Sequence, residues 1–345
     1  MQSSGSFGLG DFFCLYTRRI RATWLRLTIV SVAITFCLGA EGAVADETNQ
    51  GAMTRRQQGI LTGMPFMANI APQTFVDDLG RKIFLAKPPT RIVSLAPNIT
   101  ETLFALGVGD KIVGVTASCD YPAEATRKAK VGDVHPNLEA VVAQRPDLVL
   151  TLPLQTDVLS TLEHLKIPVF MLDATTVEQV LSHIHTLGRM LGHTREADEL
   201  VMSMRRRIAA VSERTKALPR PRLLYVLNSH PLMTAGPRSF IHQLIELAGA
   251  TNIAADATFA YPRIAMEEVL RDDPEIIVFP IGTQEGIPES EQQQWLRWSQ
   301  LSAVKHARFA RIPSVLLDRP GPRMVDGLEQ LARAVHPDAF RQDIP

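Results

Sequence analysis

Apolar residues recur along the chain with three different spacings, and each spacing predicts a different element. Runs at residues 91–96, 111–116, 148–152 and 169–172 are short and continuous rather than alternating, which is the pattern of strands buried on both faces of a parallel sheet. Between them, residues 100–106, 138–143 and 158–165 carry helical spacing. The same alternation returns later, with strands predicted at 223–227, 276–279 and 315–317 and helices at 240–247 and 324–335. Residues 74–85 form a shorter motif in which two apolar runs flank Asp77, Asp78, Leu79 and Gly80, a turn sequence that predicts a β-hairpin.

Residues 175–218 are different, because roughly 40 positions pass without proline and Val177, Val180, Leu181, Ile184, Leu187 and Leu191 fall on one helical face. Gly192 and His193 interrupt the pattern. Thr194 then opens a second helical stretch carrying Leu200, Val201, Met204, Ile208 and Val211, which Pro219 and Pro221 stop. Strands alternating with helices on either side of such a segment predict an α/β protein: two Rossmann-like lobes with parallel sheets, joined by a long α-helix, with a ligand cleft between the lobes. The expected division is an N-terminal lobe over 74–174, the connecting helix over 175–218 and a C-terminal lobe over 219–345.

The first 73 residues read as delivery rather than fold. Arg18, Arg19, Arg21 and Arg26 precede an apolar run at 27–38, and Ala43, Val44 and Ala45 supply a small-x-small cleavage pattern, so a signal peptide over 1–45, cut after Ala45, is expected. The run is about a dozen residues, short of the roughly 20 that cross a bilayer. Phe36 before Cys37 disfavours lipidation there. Residues 46–73 are polar and Gln-rich and read as a flexible linker. Export would leave Cys119 as the single cysteine, so no internal disulfide is expected.

With 345 residues, 46% of them hydrophobic, the chain can build two cores. Its 36 basic and 36 acidic side chains balance, which excludes a nucleic acid as the main partner. Gly107 and Gly109 begin a dinucleotide-like pattern, but Ile112 stands where the third glycine is needed. Asn98, Ile99 and Thr100 spell a glycosylation sequon; Thr100 reads better as the cap of the following helix, with Glu101 in its first turn. His183 and His185 are two apart on a helix, cannot share a metal and are expected to be solvated. Cys119 has no neighbouring histidine and no nucleophile elbow is present, so neither a catalytic residue nor a resident metal or cofactor is expected.

From about Phe75 onward the chain resembles the class III solute-binding proteins of ABC importers, the cobalamin, haem and ferric-siderophore group. The likeness is carried by residues 91–101 (RIVSLAPNITE), 106–110 (LGVGD), 113–116 (VGVT), 119–122 (CDYP), 137–139 (NLE), 145–149 (RPDLV), 173–175 (DAT), 234–236 (TAG), 247–250 (LAGA) and 319–323 (RPGPR). Residues 119–122 and 261–263 (YPR) are most similar to the cobalamin-binding branch. The tryptophans that often line that branch's cleft are placed differently here, with Trp24 in the leader and Trp295 and Trp298 in a late polar segment.

The resemblance implies a periplasmic protein that binds a corrinoid, with haem or a ferric siderophore as the alternative cargo, and passes it to an ABC permease. It places Pro97, Asn98, Asp120, Tyr121 and His135 on the first-lobe side of the cleft, facing Asn228, Ser229, Phe259, Tyr261 and Arg323. Tyr261 matches a stacking aromatic, and Tyr121 has a rival role as an axial iron ligand. Glu139 and Glu267, one on each lobe, match the acidic knobs that dock on permease arginines. The chain is expected to act as a monomer. An exported chelatase-like enzyme, the reading from another class, lacks the cysteine, histidine or nucleotide sites such chemistry uses.

Overall fold

The structure is a computed structural model that describes residues 72–343, apart from 134, 154–155 and 283–285. The expected signal peptide and nearly all of the expected linker lie outside the described residues. The chain enters through β1 (Gln73–Val76) and β2 (Lys82–Leu85), an antiparallel hairpin in which Phe75 faces Ile83. Its turn closes as the sequence demands: Gly80 adopts φ +76°, and the Asp77 carboxylate accepts the backbone N–H groups of Leu79 and Arg81.

The first lobe follows in the order β3 (Ile92–Ser94), α1 (Pro97–Ala105), β4 (Ile112–Val115), β5 (Ala129–Lys130), α2 (Leu138–Ala143), β6 (Leu148–Thr151), α3 (Thr156–His164) and β7 (Val169–Met171). All pairings are parallel, in the order β5-β4-β3-β6-β7. Two helices come next, α4 (Val177–Leu191) and α5 (Thr194–Thr215). The second lobe contains β8 (Arg222–Tyr225), the short hairpin β9 (Asn228–Ser229) and β10 (Leu232–Met233), α6 (Phe240–Leu247) and β11 (Thr251–Asn252). It ends with α7 (Met266–Asp272), β12 (Ile276–Ile281), α8 (Glu289–Gln293), α9 (Ser302–Lys305), β13 (Phe309–Pro313), α10 (Ser314–Leu317) and α11 (Met324–Val335). Its main sheet is also parallel, β11-β8-β12-β13.

Successive strand residues serve opposite faces, as a pleat requires. In β8 and β12, Leu223, Tyr225, Ile276 and Val278 enter one apolar cluster, while Leu224, Ile277 and Phe279, with Val226 just past β8, enter another. The first lobe repeats this, with Ile92, Leu148 and Leu150 separated from Val93, Val149 and Val169. The cluster holding Ile92 also holds Tyr225, Val201 and Leu328, so one core runs continuously from the first sheet through the paired helices to the second.

The segment expected as an interrupted helical connection is a tight helix pair. Thr176 and Gln179 form a capping box that starts α4, and Gly192 in the left-handed conformation, φ +79°, ends it. The chain then reverses. Glu178 reaches Arg205, His185 reaches Asp198, and Gly188 lies against Ala197, so α4 and α5 run antiparallel. The 22-residue α5 is the long helix that joins the lobes, packing on α6 and α11 of the second.

Three local expectations are corrected. Residues 315–317 are not a strand but the single helical turn α10; the strand is β13 just before it, whose burial alternates because it is an edge with one neighbour, and whose Arg311 masked its apolar pattern. Thr100 does not cap α1, because Pro97 at N1 starts that helix three residues earlier, with Ala96 as N-cap. His183 is not solvated: its Nε2 lies 2.8 Å from Asp78 of the hairpin turn, and its side chain is only 15% exposed.

Gly188 sets the separation of α4 and α5, since a Cβ there would lie 2.3 Å from the Ala197 Cβ and 3.0 Å from the His193 carbonyl oxygen. Gly188→Ala is therefore expected to lower stability by about 1–3 kcal/mol through overpacking, despite the gain in helix propensity. Urea denaturation measures this; a loss below about 0.5 kcal/mol would rule out the close approach as a determinant of the fold.

Candidate functional site

Both main sheets point their carboxyl ends at the same region, and the loops leaving those ends carry the expected site residues. In each sheet the chain switches direction there, between β3 and β6 in one lobe and between β8 and β12 in the other. The first-lobe loops are held by buried polar contacts. Thr100 Oγ1 lies 2.8 Å from Ser94 Oγ and 3.1 Å from both the Ala96 carbonyl and Cys119 Sγ. The Lys130 ammonium donates to the carbonyls of Thr116, Cys119 and Ala125 at 3.3–3.5 Å. Asp120 and Tyr121 project from this braced loop, both nearly half exposed.

The opposing segment, residues 319–323, starts from an anchored point: the fully buried Tyr225 of β8 donates its hydroxyl hydrogen bond to Asp318. Pro320 and Pro322 then restrict φ on either side of Gly321. Arg323 donates from Nε and Nη2 to the two oxygens of Glu101 at 2.7 and 2.6 Å, a bidentate pair. Arg319 donates from Nη1 to Glu101 at 3.2 Å and to Asp120 at 2.7 Å. The Arg323 guanidinium also lies 3.9 Å from the centre of the Tyr121 ring, and Asn98 donates to the Pro320 carbonyl at 3.3 Å. Burial alone would depress the Arg323 pKa, but the hydrogen bonds and charge of Glu101 outweigh it and hold the pKa above its ordinary value.

Four of the expected residues, Asn98, Asp120, Tyr121 and Arg323, are thus brought together across the lobes. Pro97 sits at the base of the same helix, partly buried. Phe259 and Tyr261 belong to a second group, on a segment that runs along β10. Gly236 donates its N–H to Ala260 at 2.7 Å, Thr234 to Pro262 at 3.1 Å, and Met233 bridges to Arg263. A Cβ on Gly236 would fall 2.1 Å from the Phe259 carbonyl oxygen, so the small residue is what lets this segment approach. Phe259 is 55% exposed, whereas Tyr261 packs partly against the core.

Asn228 and Ser229 join that second group through the β9–β10 hairpin, and the Asn228 amide is committed to the Pro231 carbonyl at 2.9 Å. Ser229 lines a cavity within the second lobe together with His230, Leu232, Met266, Trp295 and Trp298. Trp295 is buried edge-on against Phe279. His135 is exposed, and no contact joins it to either group among the described residues. No cluster of three or more metal-ligating side chains occurs among the described residues, and no described helix is long and apolar enough to cross a membrane.

Sequence reasoning missed Glu101 and Arg319, the buried half of the charge cluster. Their signal was present in part, because Arg319 opens the same five-residue motif that ends in Arg323. Glu101 was hidden by assigning it to a helix start. Glu139 and Glu267 occupy equivalent positions, each the second residue of a short helix and each exposed. The adjacent Glu268 is distinguished from Glu267 by folding back to accept the Ala265 N–H at 2.9 Å.

The arrangement is thus one of two α/β lobes whose loop ends meet through a charge cluster. Residues 92–316 match the model of the periplasmic binding protein family, and the chain belongs to that family. An uncharacterized ABC transporter substrate-binding lipoprotein of Bacillus subtilis, YvrC, is 30% identical over 92% of this chain and 98% of its own length. The crystal structure of the periplasmic vitamin B12 binding protein BtuF of Vibrio cholerae superposes with a TM-score of 0.64 at 27% identity, over 72% of this chain and 97% of that one. A periplasmic haem binding protein from Pseudomonas aeruginosa gives a TM-score of 0.63 at 26% identity, over 72% and 94%. At the level of the family this is a binding protein and not an enzyme.

The interlobe cluster makes its own prediction. Arg319→Ala removes the cation shared by Glu101 and Asp120 and is expected to cost about 2 kcal/mol, because two charge-assisted hydrogen bonds are lost while Glu101 keeps its pair with Arg323. Equilibrium denaturation checks it, and a loss under about 1 kcal/mol would show that the contact contributes little to holding the lobes.

Proposed function

We propose that the chain captures a corrinoid, cobalamin-like chelate between its lobes and delivers it to the permease of an ABC importer. It would do so as a monomer in the periplasm, after export and cleavage at Ala45. The observation that carries this reading is the exposure of two large aromatics, Tyr121 and Phe259, one on the loops of each lobe. Exposed aromatic surface paired with a few fixed polar groups suits a broad, mostly apolar disc with polar edges. Tyr261, held on the same segment as Phe259, supplies a further ring, and Asn98, Asp120 and Arg323 supply polar groups.

Haem is the second reading, favoured by the presence of a half-exposed tyrosine, since a phenolate oxygen can hold ferric iron. Arg323, whose guanidinium lies 3.9 Å from the centre of the Tyr121 ring, would be met by either macrocycle. Ferric siderophores fit the same cleft class.

Docking falls to Glu139 and Glu267. Both are exposed carboxylates in the first turn of their helices, and both are available to arginines of a permease. Attraction between them would steer encounter and weaken as salt rises.

Titration of the chain from Asp46 with cyanocobalamin, dicyanocobinamide, haemin and a ferric hydroxamate, followed by calorimetry and visible absorption, tests the cargo. Saturable binding of the two corrinoids is expected, and Tyr261→Ala should weaken it at least about tenfold through lost stacking. Binding of haemin alone would replace the corrinoid reading. Glu139→Ala combined with Glu267→Ala should leave ligand affinity within about twofold while abolishing stimulation of the importer's ATPase; retained stimulation would remove these residues from the docking site.

A further inference from the structure

The charges at the lobe junction cancel. Arg319 and Arg323 are the cations that residues 319–323 offer to the cleft, and the carboxylates of Glu101 and Asp120 neutralise both through the four contacts of 2.6–3.2 Å already described. The pairing is graded by depth. Glu101 and Arg319 are almost fully buried, Arg323 is 19% exposed and Asp120 is 46% exposed. A ligand entering the cleft therefore meets Asp120, the Tyr121 ring and the edge of Arg323, with no cation of this segment left uncompensated.

From this we infer that Glu101, with Asp120, determines specificity by excluding chelates whose edges carry carboxylates. This rests on the cleft being the binding site, as proposed above, and deepens it by fixing the class of ligand edge. A carboxylate approaching Arg323 or Arg319 gains one attraction but meets Asp120, and behind it Glu101, at close range. It must also shed its own water to do so. An amide edge carries no charge to desolvate and finds both an acceptor, the Asp120 oxygen, and a donor, the outer guanidinium edge. The cluster thus separates ligands of one macrocycle by the protonation chemistry of their side arms, as a neutral lock favours neutral keys.

Two ligand pairs isolate edge charge from ring type: dicyanocobyrinic acid heptaamide against dicyanocobyrinic acid, and the diamide of iron protoporphyrin against haemin. The wild-type protein is expected to bind the amide member at least about tenfold more tightly than the acid member of whichever pair it accepts. Asp120→Asn should narrow that ratio by about tenfold, chiefly by improving affinity for the acid, and Glu101→Gln should narrow it further. The narrowing should shrink at high salt. Thermal melts establish that each variant is folded, and Asp120→Asn, at a half-exposed position, carries the test if Glu101→Gln does not fold. Equal affinity for acid and amide in the wild type, or an unchanged ratio in folded Asp120→Asn, overturns the inference. If only the porphyrin pair binds and the amide preference holds, the inference stands while the corrinoid reading falls. If neither pair binds, both fall.

Discussion

One face of each parallel sheet empties into a shared apolar core, and the antiparallel pair α4 and α5 fills the space between them. Leu181, Ile184 and Leu187 of α4 and Val201, Met204 and Val211 of α5 are buried in the same cluster as strand residues of both lobes. Packing at that density transmits displacement rather than absorbing it. Opening the lobes would expose part of this surface, which is costly. On the proposed reading the cleft would thus be a slot with a preset width, a cargo being accommodated more by loop and side-chain adjustment than by hinge closure.

That preset width explains why a charged cluster can sit at the junction. Burying Glu101 and Arg319 costs desolvation that their attraction only just offsets, so the pair is a poor source of stability and a good source of register. Four hydrogen bonds with defined angles tolerate little relative movement of the two lobes. The apolar core brings the lobes together approximately, and the guanidinium–carboxylate geometry fixes their alignment. Tyr225 extends the same logic backwards, because its hydroxyl ties Asp318, and hence the start of the arginine segment, to the central strand β8.

Periodicity made most of the architecture legible. Buried parallel strands leave continuous apolar runs, and α2, α6 and α11 fall where their spacing puts them. The misses share a cause. Edge strand β13 carries Arg311 and ends at Pro313, so its pattern is that of a half-exposed element and the neighbouring Val315, Leu316 and Leu317 drew the assignment instead. At the site, loop residues matched by motif could be named, but their partners could not. Glu101 and Arg319 lie 218 positions apart, and no local signal says that a glutamate in the second turn of a helix will be paired rather than solvated. His183 is the same case, its partner Asp78 being supplied by a hairpin on another part of the chain.

Glu139 and Glu267 bring the rigid core and the surface together. Each is the second residue of a short helix, α2 in one lobe and α7 in the other, where free N–H groups favour a carboxylate and the side chain points to solvent. Their separation is set by elements between them that cannot easily slide: α2 packs on the first sheet through Val141, α7 on the second through Val269, and the shared core joins the sheets. On the proposed reading, two charges at a fixed spacing would recognise a partner whose own charges have that spacing, equally well with an empty or a loaded slot. Discrimination between those states would then have to come from Tyr121, Phe259 and Arg323, whose surroundings a ligand would change. Affinity for the partner and sensing of the cargo would thus reside in different residues, the first in the glutamates and the second in the loops.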